Sequence, residues 1–268
     1  MRYVLFFCLL LTMPLLAKPH VLVSIAPQKY LVSRLAGDRL AVDVIVPNGS
    51  SPHTYEPTPK QTLTCQKSCI WFRIGEGFEQ RLVTMLGATL HVVDQREGLA
   101  LLPACGCCHH MMSDDPHVWL SPPLLKQLAT QMADVLCVHF PESASFFRTQ
   151  LTELHSELDA LDNTLRTLLK DRWGETILVT HPAFGYFYHE YGLHQLSIEQ
   201  EGKEPSPKQL MDTIAQAQAA HVKLVVLQRQ YNTKGGDRIA HFLGARVWMM
   251  DPYREDVIDN LREFAHIL

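Results

Sequence analysis

Apolar and polar positions fall into two alternating registers along the chain. Short runs rich in Val, Leu and Ile occur at 20–27, 40–47, 69–75 and 89–95. They barely alternate, as parallel strands covered on both faces should. Between them, 28–38, 57–68 and 77–87 carry apolar residues at helical spacing, with Pro59 tolerated in a first turn. These units predict one doubly wound lobe.

The pattern then changes. A helix is expected from Ser121-Pro122 to about His139, and a longer one from Glu142 to Trp173. Leu151, Leu154, Leu158, Leu161, Leu165 and Leu168 recur at alternating spacings of three and four, which makes one apolar face. A helix of ~30 residues spans ~45 Å, enough to link two lobes. After Gly174 the first register resumes. Strands are expected at 176–182, 193–199, 223–228 and 245–251, and helices at 184–191, 206–221, 234–243 and 255–267. The predicted fold is α/β: two (β/α)4 lobes with parallel sheets, joined by one long rigid helix. The divisions are a leader at 1–17, a first lobe at 18–140, the linking helix at 141–173 and a second lobe at 174–268. No sequence-level repeat between the halves is apparent; the repetition reads as architectural.

Composition adds an address. Residues 1–17, MRYVLFFCLLLTMPLLA, place Arg2 before an uncharged apolar stretch and end on small Ala17. That is a secretory signal peptide, too short for a membrane span. Cys8 lies inside the apolar run without the small residues that lipidation requires. The expected location is the periplasm. With 24 basic against 28 acidic residues, the chain offers no basic footprint for nucleic acid, and a monomer is expected. The 14 histidines and 7 cysteines point instead to metal or redox chemistry.

Ligand sites of doubly wound sheets lie beyond the carboxyl ends of the strands. Four residues fall there: His53 in SPHTYEP, His117 in DDPHVWL, His181 in THPAFGY and Asp251 in MMDPY. A lone loop histidine is ordinarily solvated or bonded to backbone, and an Asp-Pro step ordinarily starts a turn. As a set they offer two donors per lobe. Three imidazoles and a carboxylate suit tetrahedral Zn²⁺, whereas Mn²⁺ prefers more oxygen.

SPHTYEPTPKQ, DPHVWLSP, THPAFGYFYHEYGL, EPSPKQL and the terminal strand ending in Asp-Pro resemble, in order, the motifs of metal-binding solute-binding proteins of ABC importers, the cluster A-I zinc and manganese receptors. The resemblance implies metal capture in a cleft between two lobes and delivery to an importer permease in the membrane, without catalysis. Carried over by motif, His53, His117, His181 and Asp251 are the ligands. Histidine rather than glutamate at the third position leans to Zn²⁺, with Mn²⁺ or Fe²⁺ as alternatives. The chain departs from the family pattern in three places. A short loop, CGCCHHMMSDD at 105–115, replaces the long His- and acid-rich loop of many zinc members; its thiols and imidazoles are donors for transient metal capture. Gln228 stands where relatives often carry glutamate. Six cysteines remain after the leader, of which Cys65 and Cys69 could pair if a helix ends between them, while Cys137 reads as a buried hydrophobe.

Two other classes use similar features. A secreted zinc hydrolase needs a general base, yet the sequence holds no HExxH, GxSxG, P-loop or GxGxxG, and Glu56 is the acid nearest His53. An exported adhesin could share the same fold.

Overall fold

The computed structural model describes residues 17–87, 90–103, 114–199 and 205–268. The leader up to residue 16 and loop residues 105–113 lie outside them. The first half runs β1 (His20–Val23), α1 (Ala26–Ala36), β2 (Ala41–Val44), α2 (Pro59–Cys65), β3 (Ser68–Arg73), α3 (Gly77–Leu86) and β4 (His91–Asp94). After α4 (Pro122–His139) and α5 (Ala144–Leu169), the second half runs β5 (Thr176–Val179), α6 (Gly185–Tyr191), β6 (His194–Ser197), α7 (Pro207–Ala219), β7 (Leu224–Gln228), α8 (Thr233–Leu243), β8 (Arg246–Met250) and α9 (Val257–Ile267). Both sheets are parallel and have the same order, β2-β1-β3-β4 and β6-β5-β7-β8.

The strands are shorter than the apolar runs that predict them, because those runs continue past the ladder. Ile45 and Val46 follow β2, yet their N–H groups still donate to Val23 O and Ser24 O, both at 3.0 Å. The chain then leaves the sheet toward the site.

Helix starts follow side-chain chemistry. Ser121 Oγ accepts from Leu124 N, and Pro122 takes the first helical position of α4. Thr58 and Ser206 start α2 and α7 with reciprocal capping boxes closed by Gln61 and Gln209. These two caps expose a local repeat. Pro57-Thr58-Pro59-Lys60-Gln61 and Pro205-Ser206-Pro207-Lys208-Gln209 begin the helix before the third strand of each half. The halves therefore share a short sequence repeat as well as a topology, against the expectation of none.

The long helix forms with tightened ends. Its α-helical part has 26 residues, flanked by 3₁₀ turns at Pro141–Ser143 and Lys170–Arg172. Leu154, Leu158, Leu161 and Leu165 are fully buried, as the stripe predicts, but the stripe ends on Phe147 and Leu169 rather than Leu151 and Leu168. A seven-residue pattern drifts ~20° per heptad on a 3.6-residue helix, which rotates the terminal leucines off the buried face. α5 packs against α1 and α4 of the first half and α6 and α9 of the second. One core cluster runs through both halves, and a smaller one, including Leu178, Val225, Leu227 and Ile239, fills the outer face of the second sheet.

Cys65, Cys69 and Cys137 carry no disulfide. α2 does end at Cys65, but Cys69 has already joined β3, where its Sγ donates to His20 O at 3.3 Å. Cys65 is buried, and burial, then the nearby Asp43 carboxylate, push its thiol up to about 11. Cys137 is half-buried rather than buried, with Sγ 3.6 Å from Ala144 O.

Candidate metal centre

Three of the four sequence candidates meet. His53 sits in the 3₁₀ turn Pro52–Thr54 after β2, His117 just before the turn Val118–Leu120 after β4, and His181 two residues past the end of β5. All three leave the carboxyl ends of parallel strands, where the loops of the two sheets face each other. Their Nε2 atoms form a triangle with edges of 3.1, 3.2 and 3.4 Å. A tetrahedron with metal–nitrogen bonds of ~2.0–2.1 Å has edges of ~3.3 Å. The triangle matches one face of it.

The other ring nitrogens explain why the Nε2 atoms converge. His53 Nδ1 is 3.0 Å from Glu76 Oε2, His117 Nδ1 is 2.7 Å from Asp115 Oδ1, and His181 Nδ1 is 2.6 Å from Glu199 Oε2. An ionised carboxylate only accepts, so each ring carries its proton on Nδ1. Each Nε2 is then unprotonated and presents its lone pair. Three lone pairs facing one another have no proton to share, and a cation at their centre relieves the repulsion. This carboxylate–histidine arrangement is the one that orients metal-binding imidazoles.

Burial sharpens the electrostatics. The His117 and His181 side chains are 1% and 2% exposed, while His53, at 21%, faces the opening. Burial, then the facing His53 and His117, hold the His181 imidazolium well below its usual range, so the ring stays a neutral donor. For Glu76, burial pushes its pKa up, but the electrostatic pull and hydrogen bond of His53, with the pull of His117 and Arg96, outweigh this and hold it below the usual carboxylate range.

The walls are aromatic. Tyr231 stacks on His181 with ring centroids 4.6 Å apart and planes 7° from parallel. Trp119 lies against His117, and its Nε1 donates to Pro252 O at 2.8 Å. Tyr253 places its hydroxyl 3.5 Å from His53 Nε2.

Asp251, the fourth candidate, is not brought into the triangle. The group of donor atoms lying within 4.8 Å of one another comprises His53, His117 and His181. Asp251 Oδ1 instead accepts from Gln230 Nε2 at 2.7 Å and from Tyr253 N at 2.9 Å. Its carboxylate thus closes the turn that an Asp-Pro step favours. Glu56 pairs with Arg81, away from the imidazoles. Of the loop 105–115, the described Asp115 is the partner of His117, and the thiols and imidazoles before it lie outside the described residues.

Sequence reasoning missed Glu76, Asp115 and Glu199, although each also follows a strand end: β3, β4 and β6. That shared position was the available signal. It also missed the work of Gln228, whose Nε2 donates to His181 O at 2.8 Å and whose Oε1 accepts from His181 N at 2.6 Å. A glutamate could accept there but could not make the donation.

The family described as "Zinc-uptake complex component A periplasmic" (ZnuA) matches residues 21–264. The chain belongs to this family. A putative metal-binding protein of Chlamydia trachomatis is 32% identical over 92% of this chain and 90% of its own length. The high-affinity zinc uptake system protein ZnuA of Bacillus subtilis is 26% identical over 87% of this chain and 78% of its own. A crystal structure of ZnuA superposes with a TM-score of 0.87 at 33% identity, covering 94% of this chain and 98% of the other. The two-lobed α/β fold expected from the apolar registers, and implied by the resemblance to cluster A-I receptors, is therefore the fold observed. No described helix is long and apolar enough to cross a membrane.

Proposed function

We propose that this protein captures a divalent transition metal, Zn²⁺ first, between its two lobes and delivers it to an ABC importer permease. The observation that carries the reading is the triangle of three Nε2 lone pairs, each imposed by a carboxylate on the opposite ring nitrogen. The ligands are His53, His117 and His181. Asp251 supplies a fourth donor when its carboxylate turns off Gln230; until then the fourth position faces the Tyr253 hydroxyl. An all-imidazole face suits Zn²⁺ better than Mn²⁺, which prefers oxygen ligands.

The protein acts as a receptor rather than as a hydrolase. Glu76, Asp115 and Glu199 are each engaged by an imidazole Nδ1, which leaves them poorly placed to deprotonate a metal-bound water. Residues 1–17 act as an export signal, and the mature protein works as a monomer in the periplasm. The family's description as a periplasmic zinc-uptake component supports that placement.

A metal bound by the folded state alone raises stability by ~4 kcal/mol at a thousand times Kd. Thermal scans of verified apo protein with Zn²⁺ and with Mn²⁺ test the reading. A large upward shift with Zn²⁺ and a smaller one with Mn²⁺ are expected. An unchanged midpoint with both would overturn the reading.

A further inference from the structure

A second imidazole pair stands outside the cleft. His91 opens β4 and His139 closes α4, at the amino-terminal end of the first sheet and opposite the three-histidine centre. The two rings stack with centroids 4.7 Å apart and planes 16° from parallel, and His91 Nδ1 lies 3.1 Å from His139 Nε2. His91 is exposed and His139 half-buried.

Local chemistry prepares this pair for a cation. His139 Nδ1 lies 3.1 Å from Val135 O, one helical turn back. A carbonyl only accepts, so the proton sits on Nδ1 and Nε2 is a bare lone pair aimed at His91. The bond also fixes the ring, as a backbone carbonyl does behind many metal-binding imidazoles. The position is the carboxyl end of an 18-residue helix, where free carbonyls and the negative end of the helix dipole favour positive charge. Two imidazoles on one metal at ~2.05 Å, subtending ~90–109°, stand ~2.9–3.4 Å apart. The observed separation lies inside that window.

We propose that His91 and His139 form a second, exposed metal site that takes a borderline divalent ion through two imidazoles, with water completing the shell. Cu²⁺ should bind there ahead of Zn²⁺, following the general order of divalent affinities. His91 frees its Nδ1 by moving its proton to Nε2, so no proton need leave the protein. With two donors, no carboxylate bonded to either ring among the described residues and an exposed His91, the site is far weaker than the cleft. It would exchange its ion readily with solution.

The test uses the full protein with its cleft first filled by one equivalent of Zn²⁺. Cu²⁺ is then titrated while released zinc is assayed and electron paramagnetic resonance is recorded. The expected result is one equivalent of bound copper with hyperfine coupling to two nitrogens and no zinc release. Copper affinity should fall more than about tenfold in His91→Gln and in His139→Gln, since losing even an outer partner of a metal ligand costs 10–100-fold. It should survive in a His109→Gln/His110→Gln variant. Position 91 is exposed at a strand end, so His91→Gln keeps the fold, which circular dichroism verifies. Copper uptake unchanged in His91→Gln would overturn the proposal. So would copper binding lost in the loop variant and kept in the other two, or copper entering only as zinc leaves.

Discussion

Glu199 does for His181 what Asp115 does for His117 and Glu76 for His53: it holds a proton on the ring nitrogen that faces away from the centre. Glu199→Gln keeps an acceptor but loses the charge, and should weaken Zn²⁺ binding about 10–100-fold in a competitive titration. Unchanged affinity would mean that the ring needs no such support. Gly185 protects the same kind of contact. A Cβ at that position would lie 2.7 Å from Asp115 Oδ2, so the side chain of Gly185→Ala must push aside the carboxylate that fixes His117. Zinc affinity of Gly185→Ala should fall to near that of Asp115→Ala, and equal affinity in Gly185→Ala and wild type would contradict the crowding. The three histidines were legible because loop imidazoles at strand ends are conspicuous. Their carboxylates were not, because acidic residues in loops are common and partnership is set by the fold. Asp251 shows the limit of motif reading: its position at a strand end was legible, but the hydrogen bonds that turn Oδ1 aside, from the Gln230 side chain and the Tyr253 backbone N–H, are set by the folded turn.

At the scale of elements, parallel strands and helices were readable because each apolar run and each Ser/Thr-Pro cap is a local signal. Their ends were not, since ladder hydrogen bonds stop where the chain turns toward the site. The repeated Thr/Ser-Pro-Lys-Gln cap was readable too, but it is too short to register when whole halves are compared. α5 is the element that most depends on a single face. Leu158 is fully buried on it, and Leu158→Ala should cost about 2–5 kcal/mol in urea unfolding of the apo protein. A loss below about 1 kcal/mol would mean that the helix rests on other contacts.

At the scale of the molecule, the two halves are joined by more than one helix. A continuous core runs through both, Trp119 reaches across to Pro252 O, and Lys29 pairs with Glu255 at 2.9 Å. α5 contains neither proline nor glycine, and sharp bends in helices need one of these or a bulge. Metal binding should therefore move loops rather than swing lobes. Small-angle scattering should give nearly the same radius of gyration for apo and zinc-loaded protein; a large drop on adding Zn²⁺ would indicate hinge closure. The central claim, that the metal sits on His53, His117 and His181, is tested most directly by competitive Zn²⁺ titration of single alanine variants. The account predicts one tight equivalent that is lost in His117→Ala and His181→Ala and kept in His109→Ala. A tight equivalent that survives in the two cleft variants and disappears in His109→Ala would contradict it.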